Sequence, residues 1–167
     1  AYSLLSDDLI TIDEAIEYLR NYDWSHEIEQ KGVKDEVIML DELMSMQIKV
    51  DHVHTYTIGE MIVFEYDPRI LSESVGGAIE SAILRKEIKR ILGNHGIKYV
   101  DGKGVCFANG NPALRRLMNR SQWVHNIEGL MMRLPGAEKD DPRVYQTGLK
   151  SHRGIRIPIE LIVESVG

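Results

Sequence analysis

The chain has 167 residues, 43% of them hydrophobic, and a formal net charge of −6; that is room for one domain, or one domain with a small appendage, and it excludes collagen-like, low-complexity and wholly disordered chains. No apolar run approaches the ~20 residues of a membrane span, and no basic stretch followed by an apolar core marks a signal peptide at the N-terminus. The single cysteine, Cys106, excludes an internal disulfide, so a reducing, cytoplasmic setting is the expectation.

In chain order, Thr11-Ile-Asp-Glu14 has the form of a capping box and opens a helix over about 12–22, with Ile12, Ala15, Ile16 and Leu19 at helical spacing. Tyr22 and Trp24 anchor its end, and Gly32 breaks the chain. Residues 33–46 repeat the helical period, and both helices carry acid-rich outer faces. Between Ile48 and Tyr66 the apolar residues are β-branched or aromatic, which predicts two strands with a turn near Gly59. Asp67-Pro68 closes this part.

A long helix capped by Ser72 or Ser74 is expected to run to about Leu92. Its apolar stripe is Val75, Ala78, Ile79, Ala82, Ile83, Ile88, Ile91 and Leu92. Gly76-Gly77-Ala78 at its start would permit close approach of a second helix. Arg85, Lys86, Lys89 and Arg90 cluster toward its end, and Gly93 and Gly96 supply the stop. Residues 97–100 and 105–108 read as strands joined at Asp101-Gly-Lys-Gly104. A short basic helix over 113–119 follows, then a longer helix from Gln122 to about Leu134 with Ser121 as its cap. Trp123, Ile127, Leu130 and Met131 share a face of the latter, which points to core packing. Residues 143–147 and 155–159 read as two strands around a basic turn.

The charge is unevenly divided. Residues 1–68 hold 16 acids and four bases; residues 69–167 hold 10 acids and 16 bases. Within 84–156 the balance reaches +9, with the bases at helix ends, in the short helix and in the last turn. Phosphate contacts call for exposed cations at such places. The expected fold class is therefore α+β: an acidic helical and β-hairpin part over 1–68, then a basic, winged-helix-like domain over 69–167.

Short helix, tight turn, longer helix and two-stranded wing is the layout of a winged helix-turn-helix, in which the second helix enters the major groove. The stretch Ser121-Gln-Trp-Val-His-Asn126, with Arg133-Leu-Pro-Gly-Ala137, Tyr145-Gln-Thr-Gly148 and Arg153-Gly-Ile-Arg-Ile-Pro158, resembles the terminal modules of phage and plasmid replication proteins of the primase-helicase type. The resemblance covers about 90 residues, 72–160, and rests on layout. It implies that Gln122, His125 and Asn126 occupy the exposed start of the recognition helix, and that Lys150, His152 and Arg153 form the wing tip. Arg115, Arg116, Arg120 and Arg156 complete the expected nucleic-acid-binding set.

DNA is thus the expected partner, RNA remaining open, and no cofactor is expected. The acidic part suits a basic protein partner, competition with DNA for the chain's own basic domain, or simple solubility. A structural or interaction protein, such as a virion component or host-factor inhibitor using the acidic helices or the 72–92 helix as an oligomer or partner interface, is the alternative. A metal enzyme is a third reading: His52 and His54, two apart on a strand, would face one side and share a metal, with Asp51 or Asp67 beside them. Asp101-Gly-Lys-Gly104 lacks the spacing of a phosphate-binding loop. Cys106, between apolar residues in a strand and with no base indicated nearby, reads as a small buried hydrophobe.

Overall fold

A computed structural model describes residues 33–140 and 153–166. The helix expected over 12–22 and the strand over 143–147 lie outside them. By backbone contacts the chain divides into residues 1–35 and 36–167. No division falls at residue 68, because α2 ends at Tyr66, α3 begins at Pro68, and both pack into one core with the helix that follows.

The described residues are mixed α+β, with seven helices and two small antiparallel sheets. Helix α1 (Asp35–Met44) buries Met39, Leu40, Leu43 and Met44. Strands β1 (Gln47–Lys49) and β2 (Thr55–Thr57) then form a short hairpin with Ile48 opposite Tyr56.

The strand expected after Gly59 is instead helix α2 (Ile58–Tyr66). Thr57 and Glu60 form a reciprocal capping box: the Glu60 N–H donates to Thr57 Oγ1 at 3.0 Å and the Thr57 N–H to Glu60 Oε1 at 2.9 Å. Two orphan amides are satisfied at the outset, and Ile58, Met61, Ile62 and Phe64 go into the core at helical spacing. Tertiary burial outweighs the β preference of the branched side chains here. Gly59 is needed for close packing, because a Cβ there would lie 2.5 Å from Val166 and 3.2 Å from Met44.

The single long helix expected next is two helices, α3 (Pro68–Val75) and α4 (Ala78–Asn94). Asp67-Pro68 is a helix start, with Asp67 Oδ1 accepting from the Arg69 N–H at 3.2 Å and Pro at the first helical position. Gly76, at φ +72, ends α3 in the left-handed region. Ser72 and Ser81 hydroxyls meet at 3.0 Å across the corner, and the Arg85 guanidinium holds the nearly buried Glu65 carboxylate at 3.2 Å. Gly76-Gly77 is thus a corner; nothing approaches within 4 Å of where a Gly76 Cβ would stand, so no helix uses it for close packing.

Strands β3 (Ile97–Val100) and β4 (Gly104–Ala108) form the expected hairpin. Helices α5 (Pro112–Leu117) and α6 (Ile127–Met131) follow, then β5 (Glu138–Asp140), β6 (Gly154–Ile157) and α7 (Ile159–Val166). The second sheet has the order β3-β4-β6-β5, antiparallel throughout. Strand β6 therefore lies between β4 and β5 rather than standing out in a separate two-stranded wing. Ile97, Val105, Phe107, Ile155 and Ile157 form the inner face of this sheet and are buried with α2, α4 and α6. Alternate residues put Lys98, Cys106, Arg156 and Glu138 in one row on the other face.

Candidate nucleic-acid interface

Asn111 starts α5 by accepting the Leu114 N–H on Oδ1 at 3.0 Å, with Pro112 next. Leu114 and Met118 are buried, which turns Arg115 and Arg116 outward; Arg120 is exposed in the turn that follows. Arg115 also reaches Glu128 of α6 at 3.4 Å, and the other oxygen of Glu128 accepts the Gly110 N–H at 3.0 Å. One carboxylate thus ties the α5 entry to α6 and partly neutralises Arg115.

Helix α6 is far shorter than the helix expected from Gln122 to Leu134. Ser121 does cap, its Oγ accepting the Trp123 N–H at 3.1 Å, but it caps a turn. Residues 121–126 continue as turns, and Asn126, at φ −141, stands outside helical geometry. Gln122, His125 and Asn126 are therefore exposed in the turn before α6, not on the first turn of a long recognition helix. Ile127, Leu130, Met131 and Leu134 are buried and Trp123 packs partly against them, as core side chains.

Arg153 is exposed at the entrance to β6, and its carbonyl accepts the Asn109 N–H at 2.8 Å. That bond places Arg153 beside the turn leading into α5. Lys150 and His152 lie outside the described residues. Arg156 departs from the expected set. It is held on the sheet by Glu138, its closest partner, and by Asp140 at 3.5 Å, and only 24% of its side chain is exposed. The Glu138 hydrogen bond raises its pKa above the ordinary guanidinium value, and its charge is committed within the fold. The same row explains Cys106: the thiol is fully buried, as expected, yet donates to Asp140 Oδ2 at 3.0 Å. The carboxylate lies 34 residues away in sequence, so strand reading alone did not supply it.

The opposite end of the sheet differs in charge. There a groove of about 520 Å³ is lined by Tyr66, Tyr99, Asp101, Lys103, Glu138, Arg156 and Glu160 among others. Three carboxylates against two cations make it a poor seat for phosphate. Tyr66 and Tyr99 meet edge to face at 5.8 Å, and the Tyr99 hydroxyl donates to Asp101 at 3.1 Å.

His52 and His54 are not on a strand. They belong to the loop of the first hairpin, where Asp51 Oδ1 accepts the Val53 and His54 N–H groups at 2.8 and 2.7 Å and both its oxygens lie 3.0 Å from His54 Nδ1. Asp51 is thereby occupied as a turn former. Among the described residues no group of three or more His, Cys, Asp or Glu is placed to hold a metal ion. The His54 side chain, and then the two amides, lower the Asp51 pKa from 3.8 to about 2. A carboxyl depressed on folding stabilises the loop above its unfolded pKa and ceases to as pH falls through its folded value. NMR titration is expected to place the Asp51 midpoint near 2, and His54→Ala to move it back toward 3.8. An unchanged midpoint in that variant excludes the side-chain contact as the cause.

No helix among the described residues is long and apolar enough to cross a membrane. No family model, no curated protein and no solved structure matches the chain.

Proposed function

We propose that this chain is a non-enzymatic nucleic-acid-binding protein that meets duplex DNA through Arg115, Arg116, Arg120 and Arg153, with Lys150 and His152 kept as candidates from the sequence alone. The observation that carries this reading is the hydrogen bond from the Asn109 N–H to the Arg153 carbonyl. It brings the entrance of β6 beside the start of α5, so cations far apart in sequence converge on one end of the sheet. Three exposed arginines on one short helix and its turn suit phosphate contacts, Arg115 exchanging its Glu128 partner for phosphate. Gln122 and His125, exposed in the adjoining turn, extend this edge with hydrogen-bonding groups.

The order of elements supports a winged-helix layout for residues 78–157. Helix α4 and strand β4 precede α5 and α6, and β5 and β6 return so that β6 lies against β4. In such a module α6 and the residues just before it face the groove. A protein of this kind fits the phage and plasmid replication modules that its sequence resembles.

Fluorescence anisotropy of the full chain with a labelled duplex tests the reading. Binding is expected to weaken linearly in log–log form with salt, with a slope of about −3 to −5 for four or five phosphate contacts. Absence of binding at low salt, or binding indifferent to salt, overturns it. Competition with single strands and RNA assigns the preferred polymer.

A further inference from the structure

We propose that the groove beside the β3–β4 turn binds a lysine side chain presented by an extended segment of a partner protein. Two aromatic rings form its corner. Tyr66, the last residue of α2, and Tyr99 of β3 both line the groove, with ring centroids 5.8 Å apart and ring planes at 83° to one another. Tyr66 is 46% exposed, so a ligand can reach the pair. An aromatic face attracts a cation through its quadrupole, and two rings at a right angle seat one from two sides. Such a corner fits the compact ammonium of lysine, whereas the planar guanidinium of arginine is suited to stacking on a single face.

Carboxylates stand beside this corner. The Tyr99 hydroxyl donates to Asp101 Oδ1 at 3.1 Å, which fixes one carboxylate next to the rings. Glu160, in the first turn of α7, lines the same groove. Burial first, then the Asp101 hydrogen bond, holds the Tyr99 pKa above its ordinary value, and Glu160 acts in the same direction, so both acids lie within electrostatic reach of that ring. Glu138 and Arg156 also line the groove but are paired with one another. Asp101 and Glu160 then stand against Lys103 alone, a balance that favours a cation and opposes phosphate. A lysine ammonium carries three donors, which carboxylate oxygens can accept. The groove, about 520 Å³, is far larger than one ammonium group, and Gly102 and Gly136 add no side chain to its lining. That leaves room for main chain on either side of the lysine.

NMR titration of the full chain tests this with no nucleic acid present, so the outcome is independent of the DNA reading. The probes are a blocked peptide with one lysine between glycines, the same peptide with norleucine or arginine in place of lysine, and n-butylammonium. The lysine peptide is expected to bind in the millimolar range and to shift the amides of residues 99–104 and 159–161 saturably. The norleucine peptide, of similar length but uncharged, is expected to leave them in place. The arginine peptide and n-butylammonium are expected to bind more weakly than the lysine peptide. Arginine binding as tightly as lysine overturns the choice of cation, and n-butylammonium binding as tightly overturns the choice of a protein segment over a free amine. Tyr66→Leu and Glu160→Gln, both at exposed positions that leave the core intact, are expected to weaken binding about two- to fivefold. Tyr66→Phe keeps the ring and retains binding, and Lys103→Ala removes a like charge and strengthens it. No saturable shift with the lysine peptide, or binding unchanged by Tyr66→Leu, overturns the proposal.

Discussion

Gly104→Ala is expected to lower the stability of the folded protein by about 2–4 kcal/mol, among the largest effects of any single methyl added to this chain. Gly104 starts β4 at φ +124, a backbone region that L side chains rarely enter. A Cβ there would stand 2.4 Å from the carbonyl oxygen of Ile157 and 3.2 Å from its carbon. Both are backbone atoms of the neighbouring strand, so no rotamer change relieves the clash. Relief requires β4 and β6 to separate where Val105 pairs with Ile157, in the middle of the sheet that closes the core. Chemical denaturation followed by circular dichroism measures the loss. Gly102→Ala is the control, because Gly102 also has positive φ (+75) but has nothing within 4 Å of its Cβ position. The control is expected to lose only about 1 kcal/mol, the cost of backbone strain alone. Equal losses at the two positions would remove the clash with Ile157 from the account.

The second large effect is functional. Reversing Arg115, Arg116 and Arg120 together to glutamate is expected to weaken DNA binding by 100-fold or more at low salt and to reduce the salt slope by about three. Leu114 and Met118 carry the packing of α5 and remain in place, while Arg115→Glu loses the Glu128 pair and sets two carboxylates together, so thermal stability is expected to fall modestly beside the loss of affinity. Arg156→Gln provides the contrast. It removes a cation held by Glu138 and Asp140, so it is expected to cost stability without changing DNA affinity. The pair of variants separates cations that bind a partner from cations that hold the sheet. Loss of affinity with Arg156→Gln and none with the triple reversal would place the interface on the other side of the sheet.

What was legible in the sequence follows the range of the interactions. The β3–β4 hairpin was readable because Gly102 and Gly104 sit at its turn, both with positive φ. The start of α5 was readable because Asn111-Pro112 carries a cap and a fixed φ in adjacent residues. The β-branched composition of α2 favours strands, although Thr57 and Glu60, three apart, announce a helix start in the same way as Thr11 and Glu14. Helix α4 carries apolar residues on two of its faces, and a stripe long enough to cover both conceals which is buried. The pairing of β6 with β4 joins residues about fifty apart, and no local pattern encodes it. At the candidate site, the exposure of Arg115, Arg116 and Arg120 was legible from local charge. The commitment of Arg156 was not, since its carboxylate partners arrive from a separate strand.

The division at residues 35 and 36 alters how a polyanion would experience this protein. Residues 1–35 carry 9 acids and three bases, a net −6; residues 36–167 carry 17 of each. The larger unit therefore has no monopole to attract DNA from a distance. Its field is multipolar, with the α5 arginines as one pole, and such fields decay faster with distance than that of a net charge. Capture would then be governed by orientation within roughly one Debye length, about 8 Å at physiological salt, and the encounter rate would depend on how the molecule is turned when it arrives.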